Sequence, residues 1–99
     1  MFCIDEIVEG IANYFGFLSD DLVYRDTKND VSKARNYAYY VLHYEYGFSL
    51  SQISKFFDRT KRNISYQISG VKYLIKNLKE YTQEYNLLIM SINNKPITE

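Results

Sequence analysis

Two helix starts separated by a very short break constrain this chain most tightly. Ser49 is followed three residues later by Gln52, the reciprocal capping box that satisfies free backbone N–H groups at a helix start. Leu50, Ile53, Phe56 and Phe57 then line one side of a short helix. Asp58-Arg59-Thr60 interrupts it, and Thr60 is placed to cap a second helix carrying Ile64, Ile68, Val71 and Ile75 as an apolar stripe. A short capped helix meeting a longer capped helix across about three residues is the pattern of a helix-turn-helix, here at about 49–71. Leu50, Ile53, Phe57, Ile64 and Ile68 are the residues expected to fix the two helices at one angle.

The flanking sequence is helical as well. Ile4, Ile7, Val8, Ile11, Ala12 and Phe15 repeat at helical spacing, and Gly16 ends the run. Ser19-Asp20-Asp21-Leu22 reads as an N-cap and a short helical turn. Residues 25–30 form a polar connector without periodicity. Asp30 or Ser32 caps a long helix running to about Tyr46, with Val31, Ala34, Tyr37 or Ala38, Val41 and Leu42 inward and Gly47 closing it. A last helix, about Glu80 to Ile92, carries Tyr81, Tyr85, Leu88 and Ile92. The expectation is an all-α fold of five to six helices, one domain over 1–93, and a frayed tail at 94–99. Ile11, Phe15, Val41, Ile53, Phe57, Ile64 and Ile68 are its expected shared core.

Charge adds a partner. The formal net charge of the 99 residues is zero, yet residues 1–24 hold five acids and no base, and residues 25–79 hold eleven bases and four acids. A basic block of this kind suits an anionic partner. It coincides with the helix pair, because seven bases and one acid lie between Lys55 and Lys79. Lys61, Arg62, Ser65, Tyr66 and Ser69 face outward at the start of the second helix, the end that reaches base edges in helix-turn-helix folds. Lys61 and Arg62 suit phosphates or the guanine acceptors, and Asn63 suits adenine. Ser49, Ser51 and Gln52 stand at a helix start whose N–H groups suit phosphate oxygens.

Other chemistry finds little support. The single His43 lies mid-helix with no nucleophile or carboxylate arranged beside it in sequence, and no paired-carboxylate pattern stands out, so no enzyme is expected. One cysteine, Cys3, allows no internal disulfide and no multi-cysteine metal site, and no cofactor is expected. The acidic start and the absence of a long apolar run argue against a secretion signal or a membrane span, and the expected location is the cytoplasm. The eleven tyrosines invite single-strand stacking, but Tyr37, Tyr39, Tyr40, Tyr44 and Tyr46 surround one helix rather than form a platform.

The run Ile7 to Gly16 followed by Asp20-Asp21-Leu22, the segment Val31 to Ala38, the helix Gly47 to Phe57 and the segment Arg59 to Ile68 together resemble the C-terminal DNA-binding domain of the bacterial chromosomal replication initiator, DnaA. The resemblance spans residues 4–92 and implies a double-stranded DNA binder with a role in replication or transcription regulation. It implies that Lys33 stands where the family places a basic residue in the minor groove, and Arg35 where it places one near the backbone. Arg59 matches the arginine before the recognition helix, and Lys61, Arg62 and Asn63 take the base- and phosphate-contacting positions. Thr60-Lys61 replaces the family's Asp-His pair, so the family's own target sequence is not carried over. No phosphate-binding loop of the Gly-x-x-x-x-Gly-Lys-Ser/Thr kind occurs, and no ATPase activity is expected.

The expected DNA-binding residues are therefore Lys33, Arg35, Ser49, Gln52, Lys55, Arg59, Thr60, Lys61, Arg62, Asn63 and Tyr66. The expected partner is double-stranded DNA, with a homodimer or a protein partner as a further possibility. The competing expectation is a protein-interaction module that keeps the fold without DNA contacts.

Overall fold

The computed structural model describes residues 3–24 and 29–93, and among them it contains six α-helices and no strand. Helix α1, Ile4–Phe15, buries Ile7, Val8, Ile11 and Ala12 along one stripe. Gly16 ends it at φ 85°, a conformation that suits glycine. There the Gly16 and Phe17 N–H groups turn back to Asn13 O and Ala12 O at 3.1 and 2.8 Å. Helix α2, Ser19–Tyr24, buries Leu22. It begins one residue earlier than an N-cap Ser19 implies: Leu18 stands before its first residue, and the Leu18 N–H donates to Asp21 Oδ2 at 3.1 Å. The connector at 25–28 and the tail at 94–99 lie outside the described residues.

Helix α3, Asn29–Tyr40, packs against α1, α2 and α5, which explains why it buries several faces at once. Val31, Ala34, Tyr37, Ala38 and Tyr39 are all buried. The long helix expected to run on to Tyr46 instead widens into a five-residue π segment, Val41–Glu45. Tyr46 N–H bonds Val41 O at 3.3 Å and Phe48 N–H bonds Leu42 O at 2.9 Å, both longer loops than α winding closes. His43 stabilises this exit. Its Nδ1 lies 2.9 Å from Phe48 O, and since a carbonyl only accepts, that nitrogen carries the proton. Gly47, at φ 75°, then releases the chain toward α4.

Helix α4, Leu50–Phe57, and helix α5, Lys61–Asn77, form the expected pair, and α6, Lys79–Asn93, closes the bundle. Ile53, Phe57, Ile64 and Ile68 meet Ile11, Val41 and Leu42 in one cluster with Leu88 of α6. Phe15 departs from its expected place in that group. It is only half-buried and stacks on Tyr37 at a centroid distance of 5.7 Å, at the edge of the core. The tyrosines divide similarly. Tyr37 and Tyr39 are buried, Tyr40 and Tyr46 half-buried, and Tyr44 is 51% exposed. Tyr39 meets Phe57 edge-on at 4.9 Å, which joins α3 to the helix pair. Its hydroxyl is buried with no hydrogen-bond partner among the described residues.

Candidate nucleic-acid interface

The geometry of residues 49–71 follows from its caps. Ser49 Oγ accepts from Gln52 N–H at 3.1 Å, and Gln52 Oε1 accepts from Ser49 N–H at 2.8 Å. Thr60 Oγ1 accepts from Asn63 N–H at 3.1 Å. Each cap uses an acceptor lone pair. The Ser49 and Thr60 hydroxyl protons and the Gln52 amide N–H groups remain able to donate outward.

The break between the helices is built from a single left-handed residue. Asp58 sits at φ 56° and ψ 49°, a region that aspartate tolerates better than most residues. This turns Arg59 so that its N–H donates to Ser54 O at 3.1 Å. Ser54 Oγ returns a bond to Arg59 O at 2.5 Å. Ser54 therefore locks the turn, a role the sequence pattern did not announce because the contact crosses the break. Behind the turn, buried Ile53, Phe57, Ile64 and Ile68 hold the helices together.

The outward side of this frame gathers most of the expected residues. Lys61, Arg62 and Asn63 are exposed on the first turn of α5, where N–H groups and dipole favour anions. Tyr66 is 75% exposed one turn further along. Lys55 and Lys61 line one depression with Ser51, Gln52 and Ser54, so two basic residues border the concavity between the helices. Arg59 is half-buried beside the turn. Near it, burial pushes the Tyr39 hydroxyl above its ordinary value, against the opposing pull of the Arg59 and Arg35 charges. The face continues past the expected residues, for Tyr73 is 65% exposed and Lys72 lies over the Tyr44 ring, 5.6 Å from its centroid.

Two expected residues lie elsewhere. Arg35 is only 3% exposed, and its Nε donates to Leu22 O at 2.6 Å. It ties α3 to the carbonyl end of α2 and is not presented to a phosphate. Basic residue type misleads here because the acceptor is a main-chain carbonyl from another helix. Lys33 is 40% exposed but already paired, with Nζ 2.8 Å from Glu84 Oε1 on α6. Among the described residues no group of three or more His, Cys, Asp or Glu side chains is placed to hold a metal ion. No described helix is long and apolar enough to cross a membrane.

Residues 4–71 match the family model described as the bacterial dnaA protein helix-turn-helix. The matched segment contains α1 to α4 and the first eleven residues of α5, and leaves α6 outside. No curated protein matches the sequence.

Proposed function

The chain belongs to the bacterial DnaA helix-turn-helix family, and from that premise we propose that it binds double-stranded DNA with the N-terminal end of α5 in the major groove. The observation that carries this reading is the exposed, cationic first turn of α5, set on buried Ile64 and Ile68 and capped by Thr60. In this reading Lys61, Arg62 and Asn63 read base edges, and Tyr66 meets a thymine methyl or a sugar. Lys55 and Arg59, with the free donors of Ser49, Gln52 and Thr60, fix the domain on the phosphates. Lys33 adds a contact to the backbone phosphates at the neighbouring minor groove, and Arg35 acts through the fold alone. The reading extends to a regulatory role in replication or transcription in the cytoplasm.

Selection from a random duplex pool, followed by affinity across a salt series, tests it. The expected result is an enriched sequence, and affinity that falls linearly with log salt on log axes as counterions are released. Affinity insensitive to salt, or no binding, would remove the reading. A second reading draws on Leu87 and Met90, each 56% exposed one turn apart on α6, an apolar pair suited to a protein contact. A stable dimer without duplex affinity would favour it.

A further inference from the structure

Helix α6 reaches back onto α3 where Lys33 stands. Glu84 Oε1 accepts from Lys33 Nζ at 2.8 Å and from the Tyr37 hydroxyl at 3.1 Å, so one carboxylate oxygen ties both residues to α6. The Lys33 ammonium also lies over the Tyr81 ring, 5.3 Å from its centroid. Val71 and Leu74 of α5 line the same depression as Lys33 and Tyr81, so the cluster lies beside the recognition helix. It is displaced from the first turn of α5 by about 15 Å along the axis at 1.5 Å per residue. The Glu84 hydrogen bond holds the Lys33 ammonium above its ordinary pKa against the opposing desolvation, and the Glu84 charge adds a smaller push in the same direction.

A cation cannot give its full charge to two anions. While Glu84 neutralises Lys33, the ammonium presents little net charge to a phosphate, and the carboxylate itself repels one. We propose that α6 is an intramolecular competitor for DNA: Glu84 holds Lys33 in reserve, and a phosphate must displace that carboxylate before Lys33 joins the interface. This rests on the DNA-binding reading of α5. Glu84 is then a positioning residue, acting on DNA through Lys33. The pair is partly exposed, with side-chain exposures of 40% and 28%, so its hold is weak. Weakness suits the role, because a displaceable partner tunes affinity by a few-fold instead of abolishing it.

The test is duplex affinity across a salt series for the unaltered protein, Glu84→Gln, Lys33→Ala and the double variant. Glutamine keeps an acceptor for Tyr37 and removes only the charge. Glu84→Gln is expected to bind about two- to five-fold tighter, the fold-change that matches a weak ion pair. Its salt slope is expected to steepen by about 0.9, one further phosphate neutralised. In the Lys33→Ala background the same change is expected to give a clearly smaller gain, the relief of repulsion alone, with no further phosphate neutralised and no steeper salt slope. The proposal is overturned if Glu84→Gln binds like the unaltered protein. It is also overturned if the gain and the steeper slope survive Lys33→Ala undiminished, since that would mark general relief of repulsion. If neither the unaltered protein nor Glu84→Gln shows salt-dependent duplex binding, the DNA reading fails and takes the proposal with it. Salt-dependent binding without a Lys33-dependent gain removes the proposal alone.

Discussion

Substituting Arg35 distinguishes a residue that holds the fold from one that holds DNA. Its side chain is 3% exposed and its Nε meets Leu22 O at 2.6 Å, in the last turn of α2, where carbonyls lack a partner within the helix. A hydrogen bond from a charged donor contributes about 1.5–3 kcal/mol. Arg35→Met keeps an apolar stem and removes that donor, so it is expected to cost about 1.5–3 kcal/mol. Arg35→Ala also empties the space of the stem, and the expected cost rises to about 3–5 kcal/mol, as for other broken buried polar pairs. For a chain of this size each kcal/mol moves Tm by about 4–8 °C, so Arg35→Met is expected to melt about 6–24 °C lower. Thermal and urea unfolding followed by circular dichroism measure this, with duplex affinity across a salt series in parallel. The folded fraction of Arg35→Met is expected to keep the original salt slope, since no phosphate contact is lost. An Arg35→Met protein of unchanged Tm, with a salt slope reduced by about one, would refute the structural assignment and return Arg35 to the DNA.

Ile64→Ala and Ile68→Ala are expected to cost about 2–5 kcal/mol each in chemical unfolding, because both side chains are buried between the paired helices; losses well under 1 kcal/mol at both would contradict that packing. Arg62→Ala is expected to cost about 1–3 kcal/mol in binding a selected duplex and to relax preference at one base position, whereas Lys55→Ala is expected to weaken all duplexes alike and lower the salt slope by about one. Equal responses of every duplex to both variants would remove direct readout from Arg62. Burial raises the pKa of the Tyr37, Tyr39, Tyr40, Tyr46 and Tyr85 hydroxyls, and hydrogen bonds to Glu84 and Glu45 add to it at Tyr37 and Tyr85. The folded chain thus keeps protons that the unfolded chain releases near pH 10, so stability is intact below that pH and declines as pH rises through it. A tyrosinate titration in the near ultraviolet is expected to show these residues ionising only as helix is lost; ionisation of all eleven tyrosines near pH 10 with helix intact would contradict it.

Local rules carried much of this fold. The Ser49–Gln52 box, the Thr60 cap, and the glycines after α1 and before α4 act within a few residues, and each is found where the residue types place it. The exposed first turn of α5 followed for the same reason, since the stripe of Ile64 and Ile68 fixes the opposite side of the helix. What escaped the sequence depends on partners far along the chain. Arg35 is buried because Leu22 O, thirteen positions away, needs a donor. Lys33 is paired because α6 returns across α3, bringing Glu84 to it. Tyr37 and Tyr39 are both buried, on different sides of α3, because that helix is covered by more than one neighbour, which periodicity on one face does not reveal. The π winding at Val41–Glu45 is likewise a tertiary outcome, satisfied in part by His43 bonding Phe48 O across the exit.

Asp58 is the one described residue other than glycine with a positive φ, and it stands alone between the two helices of the pair. Two other residue types sit at ease in that conformation, asparagine and glycine, and each is a single-base codon change from aspartate. Inheritance therefore has a short path at this position. Asparagine would keep the bend and delete a negative charge beside Arg59 and Lys61. Glycine would keep the bend and loosen it, widening the range of directions in which α5 points. A lineage could thus re-aim its reading helix, or alter how firmly it is aimed, while every side chain that touches the DNA stays as it was.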